Sequence, residues 1–244
     1  MAFDGFGTLL QWDFRAEIDA VLNAQRLEAD HEVVAKTFEQ AWTKVSPWRD
    51  RVGEDGKVDR SQMLDGAVPE WISTLEAWRR QFELTFEEHG LAGDARAGAL
   101  HLEDVLSRAP AYPDAHATIE ALAGLGLRLG LLSNADEHFL QMAITRNRLR
   151  FSVIQSSESL RIYKPHRATF DELVHRLGVE AGEVLYVGDS APSDVVGARH
   201  AGLRVAWIRR NEEYQYPEEL PPPDVEVREL AEVAELLYAP VRTS

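Results

Sequence analysis

Leu127-Arg128-Leu129-Gly130-Leu131-Leu132-Ser133-Asn134 decides the fold. The run from Leu127 to Leu132 is apolar and stops abruptly at two polar residues, and its length suits a buried strand. Helical patterns flank it, Thr118 to Leu125 before and Glu137 to Arg146 after. Further along, strands are expected at Phe151 to Ile154, Val184 to Val187 and Arg204 to Ile208. Helices are expected between them, at Thr169 to Leu177 and Ser193 to Ala201. Pro221-Pro222-Pro223 reads as a linker, and Val225 and Val227 as one more strand-like pair before a helix from Arg228 to Leu237. Strands separated by helices imply right-handed crossovers and an α/β fold with a doubly wound parallel sheet.

Towards the N-terminus the texture changes. Met1 to Trp12 is a very short strand running into the turn Gly5-Phe6-Gly7-Thr8. Beyond it, Phe14, Ile18, Val21 and Leu22 recur at helical spacing, as do Val33, Val34, Thr37, Phe38, Ala41 and Trp42. Trp71, Leu75, Trp78 and Phe82 make a third stripe, continued by Phe86. Pro47 and the turn Gly53-Glu54-Asp55-Gly56 separate these helices. The expectation is an α/β core of residues 1–12 and 110–244, interrupted by an all-helical insertion at 13–109.

The 244 residues are enough to bury a sizeable core. Asp and Glu number 41 against 26 Lys and Arg, a net charge of −15 with no basic run, which argues against a nucleic-acid partner. The absence of Cys removes disulfides, thiolate nucleophiles and Cys-ligated metals. His31-Glu32 begins like a zinc-protease motif, but no second His follows on that face. The start Met1-Ala2-Phe3-Asp4 lacks a secretory pattern, and no apolar run spans a bilayer. A cytoplasmic protein, monomeric or homodimeric and without a membrane partner, is expected. Met1 lies so close to Asp4 that an upstream start codon fits the short first strand.

In open α/β sheets, ligands bind beyond the carboxyl ends of the strands. Four ends deliver chemistry here: Asp4 with Thr8, then Ser133 and Asn134, then Lys164, then Asp189 with Asp194. Asp4 suits a nucleophile, since a carboxylate splits one hard displacement into two. Asp4, Asp189 and Asp194 offer hard oxygen ligands for Mg²⁺. Ser133 and Asn134 are expected to open a helix whose first amides favour a phosphate. Lys164 offsets the carboxylates and an anionic small-molecule substrate. Thr8 can hold the Asp4 carboxylate or a phosphate oxygen. Each residue also has a blander reading. Asp4-Gly5 marks turns, Asp194 suits a helix start, and Lys164 before Pro165 suits a solvated loop. Gly124-x-Gly126-x-x-x-Gly130 fails the dinucleotide fingerprint in spacing and position.

Four stretches carry a family resemblance. They are Phe3-Asp4-Gly5-Phe6-Gly7-Thr8-Leu9, Leu131-Leu132-Ser133-Asn134, Tyr163-Lys164-Pro165 and Val187-Gly188-Asp189-Ser190-Ala191-Pro192-Ser193-Asp194, the last continued by Gly197 to Gly202. In order and spacing the chain resembles the haloacid dehalogenase-like hydrolases. The resemblance implies a Rossmann-like core, a helical cap that closes over the site and a covalent Asp4 intermediate. It also implies that the Phe6 backbone carbonyl joins the metal ligands, as in the family's phosphatases.

Two departures pull apart. The phosphatases of that family usually carry an acid/base Asp where this chain has Phe6, which cannot transfer a proton; such help is worth roughly 10²–10⁴ in rate. An aromatic there resembles the 2-haloacid dehalogenases, whose halide leaving group needs no proton and which need no metal. The fourth motif resembles the phosphatases instead. Three carboxylates would repel a haloacid unless a cation balanced them, and no Arg lies between Arg26 and Arg49 to hold its carboxylate. The favoured expectation is a Mg²⁺-dependent phosphatase acting on a small metabolite with a good leaving group. A metal-independent 2-haloacid dehalogenase is the alternative, and a non-catalytic relative stands behind both. Of Trp42, Trp48, Trp71 and Trp78, one or two are expected to face the crevice between cap and core.

Overall fold

The computed structural model describes residues 1–45, 51–52, 58–212 and 214–238. After β1 (Ala2–Phe3) come α1 (Phe14–Ala24), α2 (His31–Val45), a hairpin of β2 (Arg51–Val52) and β3 (Val58–Asp59), α3 (Ser61–Asp65), α4 (Thr74–Glu88) and α5 (Ala95–Ser107). The chain then alternates: α6 (Ala115–Gly124), β4 (Gly130–Ser133), α7 (Glu137–Arg146), β5 (Val153–Ser156), α8 (Ser157–Leu160) and α9 (Arg167–Leu177). It ends with β6 (Leu185–Gly188), α10 (Val196–His200), β7 (Arg204–Ile208), β8 (Val225–Val227) and α11 (Leu230–Tyr238).

Six strands form one parallel sheet in the order β5-β4-β1-β6-β7-β8. Successive side chains face opposite sides, as a strand requires. Phe3, Leu131 and Val187 enter one core layer with Phe139. Ala2, Leu132, Tyr186 and Trp207 enter the other with Phe170. Burial on both faces explains why the strands read as unbroken apolar runs. The short β1 is held centrally, with Phe3 opposite both Leu131 and Val187, and the Asp4 N–H donates to the Val187 carbonyl at 2.8 Å.

The inserted helical cap has its own core around Ile18, Leu22, Phe38, Phe82 and Leu102. Phe38 and Phe82 lie 4.4 Å apart between ring centres, and each buried ring contributes roughly 1.5–3 kcal/mol. Asp13, Ser73 and Asp94 start α1, α4 and α5 by accepting from backbone N–H groups three residues on.

Several expectations need correction. The insertion is not all-helical, because β2 and β3 pair antiparallel within it; two-residue strands are too short to show a period of two. The turn expected at Gly53 to Gly56 lies outside the described residues. Trp71 does not belong to α4, since the Ser73 cap begins that helix at Thr74. Strand β4 starts at Gly130 rather than Leu127 and includes Ser133, whose backbone pairs with Ser156. Among the described residues, no helix is long and apolar enough to cross a membrane.

Candidate active site

The carboxyl edge of the sheet brings Asp4, Ser133, Asn134, Lys164, Asp189 and Asp194 to one cavity. Lys164 is its hub and is buried. Its Nζ lies within hydrogen-bond reach of Asp4 Oδ1 (2.5 Å), Asp194 Oδ1 (2.7 Å), the Tyr186 hydroxyl (3.0 Å) and the Leu132 carbonyl (3.1 Å). Burial alone would lower the lysine's pKa, but Asp194 and Asp4 outweigh it and push it up to about 12. The ammonium therefore stays charged across the physiological range.

The carboxylates are less at ease. Burial raises Asp4 to about 6, and Asp194 adds to this while Lys164 opposes it. Asp189 is raised well above the usual carboxylate range, first by loss of solvent and then by Asp4 and Asp194. Oxygens of all three lie within 4.8 Å of one another. One ammonium faces three carboxylates, so the cluster holds surplus negative charge. That donor set fits a divalent cation with a preference for hard oxygen ligands, such as Mg²⁺.

The supports are local. The Ser190 N–H donates to Asp194 Oδ2 at 3.0 Å, and a wide first turn at Ala191–Val195 directs the buried Asp194 inward. Gly7 has φ +91°, and a Cβ there would collide with the Asp189 carboxylate, so only glycine serves. A Cβ on Gly188 would likewise meet Asp194.

Two assignments change. Thr8 Oγ1 donates to Asp189 Oδ1 at 3.0 Å, so it holds that carboxylate rather than Asp4. Ser133 and Asn134 do not open a helix, because α7 begins three residues after Asn134, behind Asp136. Ser133 closes β4 and lines the cavity. Asn134 bonds the Lys164 backbone instead: its Oδ1 accepts from the Lys164 N–H at 2.8 Å, and its Nδ2 donates to the Lys164 carbonyl at 3.1 Å. The phosphate-binding helix start expected there is absent from that position.

Sequence reading missed the contacts of four supporting side chains. Trp207 Nε1 donates to the Asp189 carbonyl at 2.7 Å. Arg210 bonds the Thr8 carbonyl at 3.0 Å and both Asp114 oxygens at 2.9 Å. Asp136 accepts from the Thr74 and Leu75 N–H groups at 2.8 and 3.1 Å, so a core carboxylate caps a cap-domain helix. Tyr163, beside Lys164, donates to the Ile72 carbonyl at 2.7 Å. None of these pairs is close in sequence, and only the Tyr163 stretch carried a motif.

The cavity between cap and core measures about 460 Å³. Phe6, Trp12 and Phe139 line it from the core segments, and Phe38, Trp42 and Trp78 from the inserted cap. Two of the four tryptophans weighed from sequence thus face it. Trp71 instead lies under Arg161, 4.2 Å from its ring centre, and Trp48 is outside the described residues. Among the described lining residues, Lys164 is the sole cation.

The family model for haloacid dehalogenase-like hydrolases matches residues 1–202. The chain belongs to the haloacid dehalogenase-like hydrolases. This hydrolase is 32% identical over 173 residues to a phosphoserine phosphatase of Thermus thermophilus, covering 66% of the chain and 68% of that protein. It is 29% identical over 247 aligned residues to (S)-2-haloacid dehalogenase 4A of Burkholderia cepacia, covering 96% and 93%. In structure it resembles the L-2-haloacid dehalogenase of Xanthobacter autotrophicus with chloropropionic acid covalently bound. The TM-score is 0.73 at 23% identity, covering 98% of this chain and 97% of that one. At that identity the likeness speaks for the fold, a helical cap on a parallel α/β core.

Proposed function

We propose that this hydrolase is a Mg²⁺-dependent phosphatase that uses Asp4 as nucleophile and acts on phosphates with a good leaving group. The observation that carries this reading is the gathering of the Asp4, Asp189 and Asp194 oxygens within 4.8 Å, with only Lys164 to offset them. Asp4, Asp189, the Phe6 backbone carbonyl and Asp194 would hold the metal. When bound, Mg²⁺ withdraws charge from the phosphoryl oxygens.

The side chains do the rest. An oxygen of Asp4 attacks phosphorus, forming an acyl phosphate as the bond to the leaving oxygen breaks. Lys164 fixes the attacking carboxylate by its other oxygen and stabilises negative charge as it develops. Ser133 and Asn134 border the phosphoryl position, and Thr8 keeps Asp189 turned inward. Water then attacks the acyl phosphate, releasing phosphate and restoring Asp4. Phe6 can protonate nothing, so the leaving oxygen departs as an anion. Aryl and acyl phosphates meet that requirement, and alkyl phosphates do not.

A second reading, 2-haloacid dehalogenase chemistry, is favoured by Phe6 and by the comparisons, whose solved structures are weighted towards such enzymes. In it Asp4 displaces halide and Lys164 balances the charge. Against it stands the lining itself, which offers a substrate carboxylate no cation but Lys164 among the described residues.

A paired screen separates the two. Aryl and acyl phosphates are assayed with Mg²⁺ and with chelator, beside 2-chloroacids monitored for halide. Phosphate release that chelator and Asp189→Asn both abolish is the expected result. Halide release that survives both establishes the second reading and removes the first.

A further inference from the structure

One acid of the cavity lining takes no part in the cluster around Lys164. Glu39 sits on α2 in the cap, is exposed to solvent and lines the same cavity as Asp4. Its carboxylate makes no hydrogen bond or ion pair among the described residues. Its charge nevertheless reaches the core side of the cavity. The pKa of Tyr214 is raised by burial, then by Asp189, then by Glu39, and the pocket that Tyr214 lines shares Trp12, Asp189 and Ser190 with the main cavity. An accessible, unpartnered carboxylate on a cavity wall is placed to meet a cation.

Charge and surroundings narrow the ligand. The lining holds the carboxylates of Asp4, Glu39, Asp189 and Asp194 against the ammonium of Lys164, an excess of three negative charges when all are ionised. A divalent cation and a phosphate dianion cancel one another, so the excess persists when both are bound. Asp4, Asp189 and Asp194 converge within 4.8 Å, and Lys164 pairs with two of them, which leaves Glu39 for the other end of a substrate. Glu39 and Trp42 lie three residues apart on α2, hence on neighbouring positions of one face. Trp78 lines the cavity from α4, stacked at 5.6 Å on Phe139. Both tryptophans are half-buried, and among the described residues neither has a cation over its ring. Indole faces attract cations more strongly than other rings do.

We propose that Glu39 is a specificity-determining residue that binds a cationic nitrogen at the distal end of the leaving group, with Trp42 and Trp78 beside it. The inference rests on the phosphatase reading for the reaction, but not for the binding of the cationic half. The substrate class is an aryl phosphate whose ring carries an ammonium group. A volume of about 460 Å³, within the roughly 300–1,000 Å³ typical of small-molecule pockets, has room for the ring and its charged tail. Leaving as an aryloxide, such a ring needs no proton from position 6, and the ammonium withdraws electron density from it and eases its departure.

Two measurements test this, and the first needs neither metal nor phosphate. Calorimetry at low salt compares 4-(trimethylammoniomethyl)phenol with 4-neopentylphenol, which has the same shape and no charge. Glu39→Gln is expected to bind the ammonium compound about tenfold more weakly than the wild-type protein does, and the neopentyl compound equally well. Glu87→Gln removes the same charge from an exposed position of α4 outside the lining, and should change neither affinity by more than about twofold. The second measurement takes kcat/KM for the phosphates of the two phenols. Each ester has the same intrinsic reactivity with either protein, so the ratio between them should fall about tenfold in Glu39→Gln through recognition alone. Failure of the wild-type protein to bind the ammonium compound overturns the proposal. Unchanged binding of it by Glu39→Gln does so too, and is the result expected of a merely solvated surface acid. An equal loss in Glu39→Gln and Glu87→Gln overturns it as well, because net charge alone would then explain both. If the phenols discriminate as expected while neither phosphate is turned over, the phosphatase reading fails and the Glu39 site stands.

Discussion

Asn134 and Lys164 hold one another through two hydrogen bonds, with the Asn134 amide spanning the N–H and carbonyl of the Lys164 backbone at 2.8 and 3.1 Å. The lysine ammonium sits at the far end of that residue, among three carboxylates. Its position is therefore set from two directions, by the side chain's acid partners and by an amide that steadies the main chain.

Asn134→Asp tests the second of these. A carboxylate still accepts from the Lys164 N–H but repels the Lys164 carbonyl. We expect kcat to fall by ~10–100-fold, the usual effect of removing a group that orients a reacting residue. The melting temperature should change by only a few degrees. Steady-state kinetics beside thermal unfolding make the check.

Lys164→Met removes the cation from a buried cluster and leaves Asp4 and Asp194 unpaired. Breaking such a pair costs about 3–5 kcal/mol. The acids respond by binding protons, so the deficit should be largest above neutrality and shrink as pH falls towards 5. Urea unfolding at several pH values reads this directly. A deficit independent of pH would mean that the lysine is not balancing these carboxylates.

The pH dependence of the metal-free protein follows from Asp4, whose pKa rises through burial to about 6 from an ordinary 3.8. A carboxyl raised on folding favours the folded state when protonated. Its stabilising contribution is present below the unfolded value and is lost as pH rises through about 6. Mg²⁺ needs the ionised form, so its protection against heat should be greater at pH 7.5 than at pH 5. Asp189→Asn should abolish the rise at both values. Thermal melts with and without millimolar Mg²⁺ supply the comparison.

Asp136→Ala strips the α4 start of its acceptor from the core, since Asp136 takes both the Thr74 and the Leu75 N–H. Loss of a cap of this kind costs roughly 0.5–2 kcal/mol. Because the contact joins cap to core, KM should rise more than kcat falls. Kinetics on whichever aryl phosphate proves best will show the split, and a change in kcat alone would contradict it.

Much of the architecture was legible because each strand is apolar and each strand end is polar. Leu132 to Asn134 and Val187 to Asp189 show that switch within three residues, and their elements fall within a few residues of expectation. Asp4 and Asp189 were findable for the same reason, and Lys164 and Asp194 through the motifs they belong to. Asn134 was misassigned because a polar residue after a strand suits either a helix start or a loop clamp. Only its partner 30 residues on decides between them. Asp136 and Arg210 carry no local signal at all. The hairpin of Arg51–Val52 with Val58–Asp59 is invisible for want of length.

Tyr163 and Asp136 reach the start of α4 from core loops, and Tyr163 is the immediate neighbour of the lysine that balances the nucleophile. Lifting the cap therefore severs these bonds and tugs on the backbone that carries Lys164. The seating of the cap and the placement of the nucleophile's cationic partner are thus one mechanical unit, so a misfit in either is passed to the other.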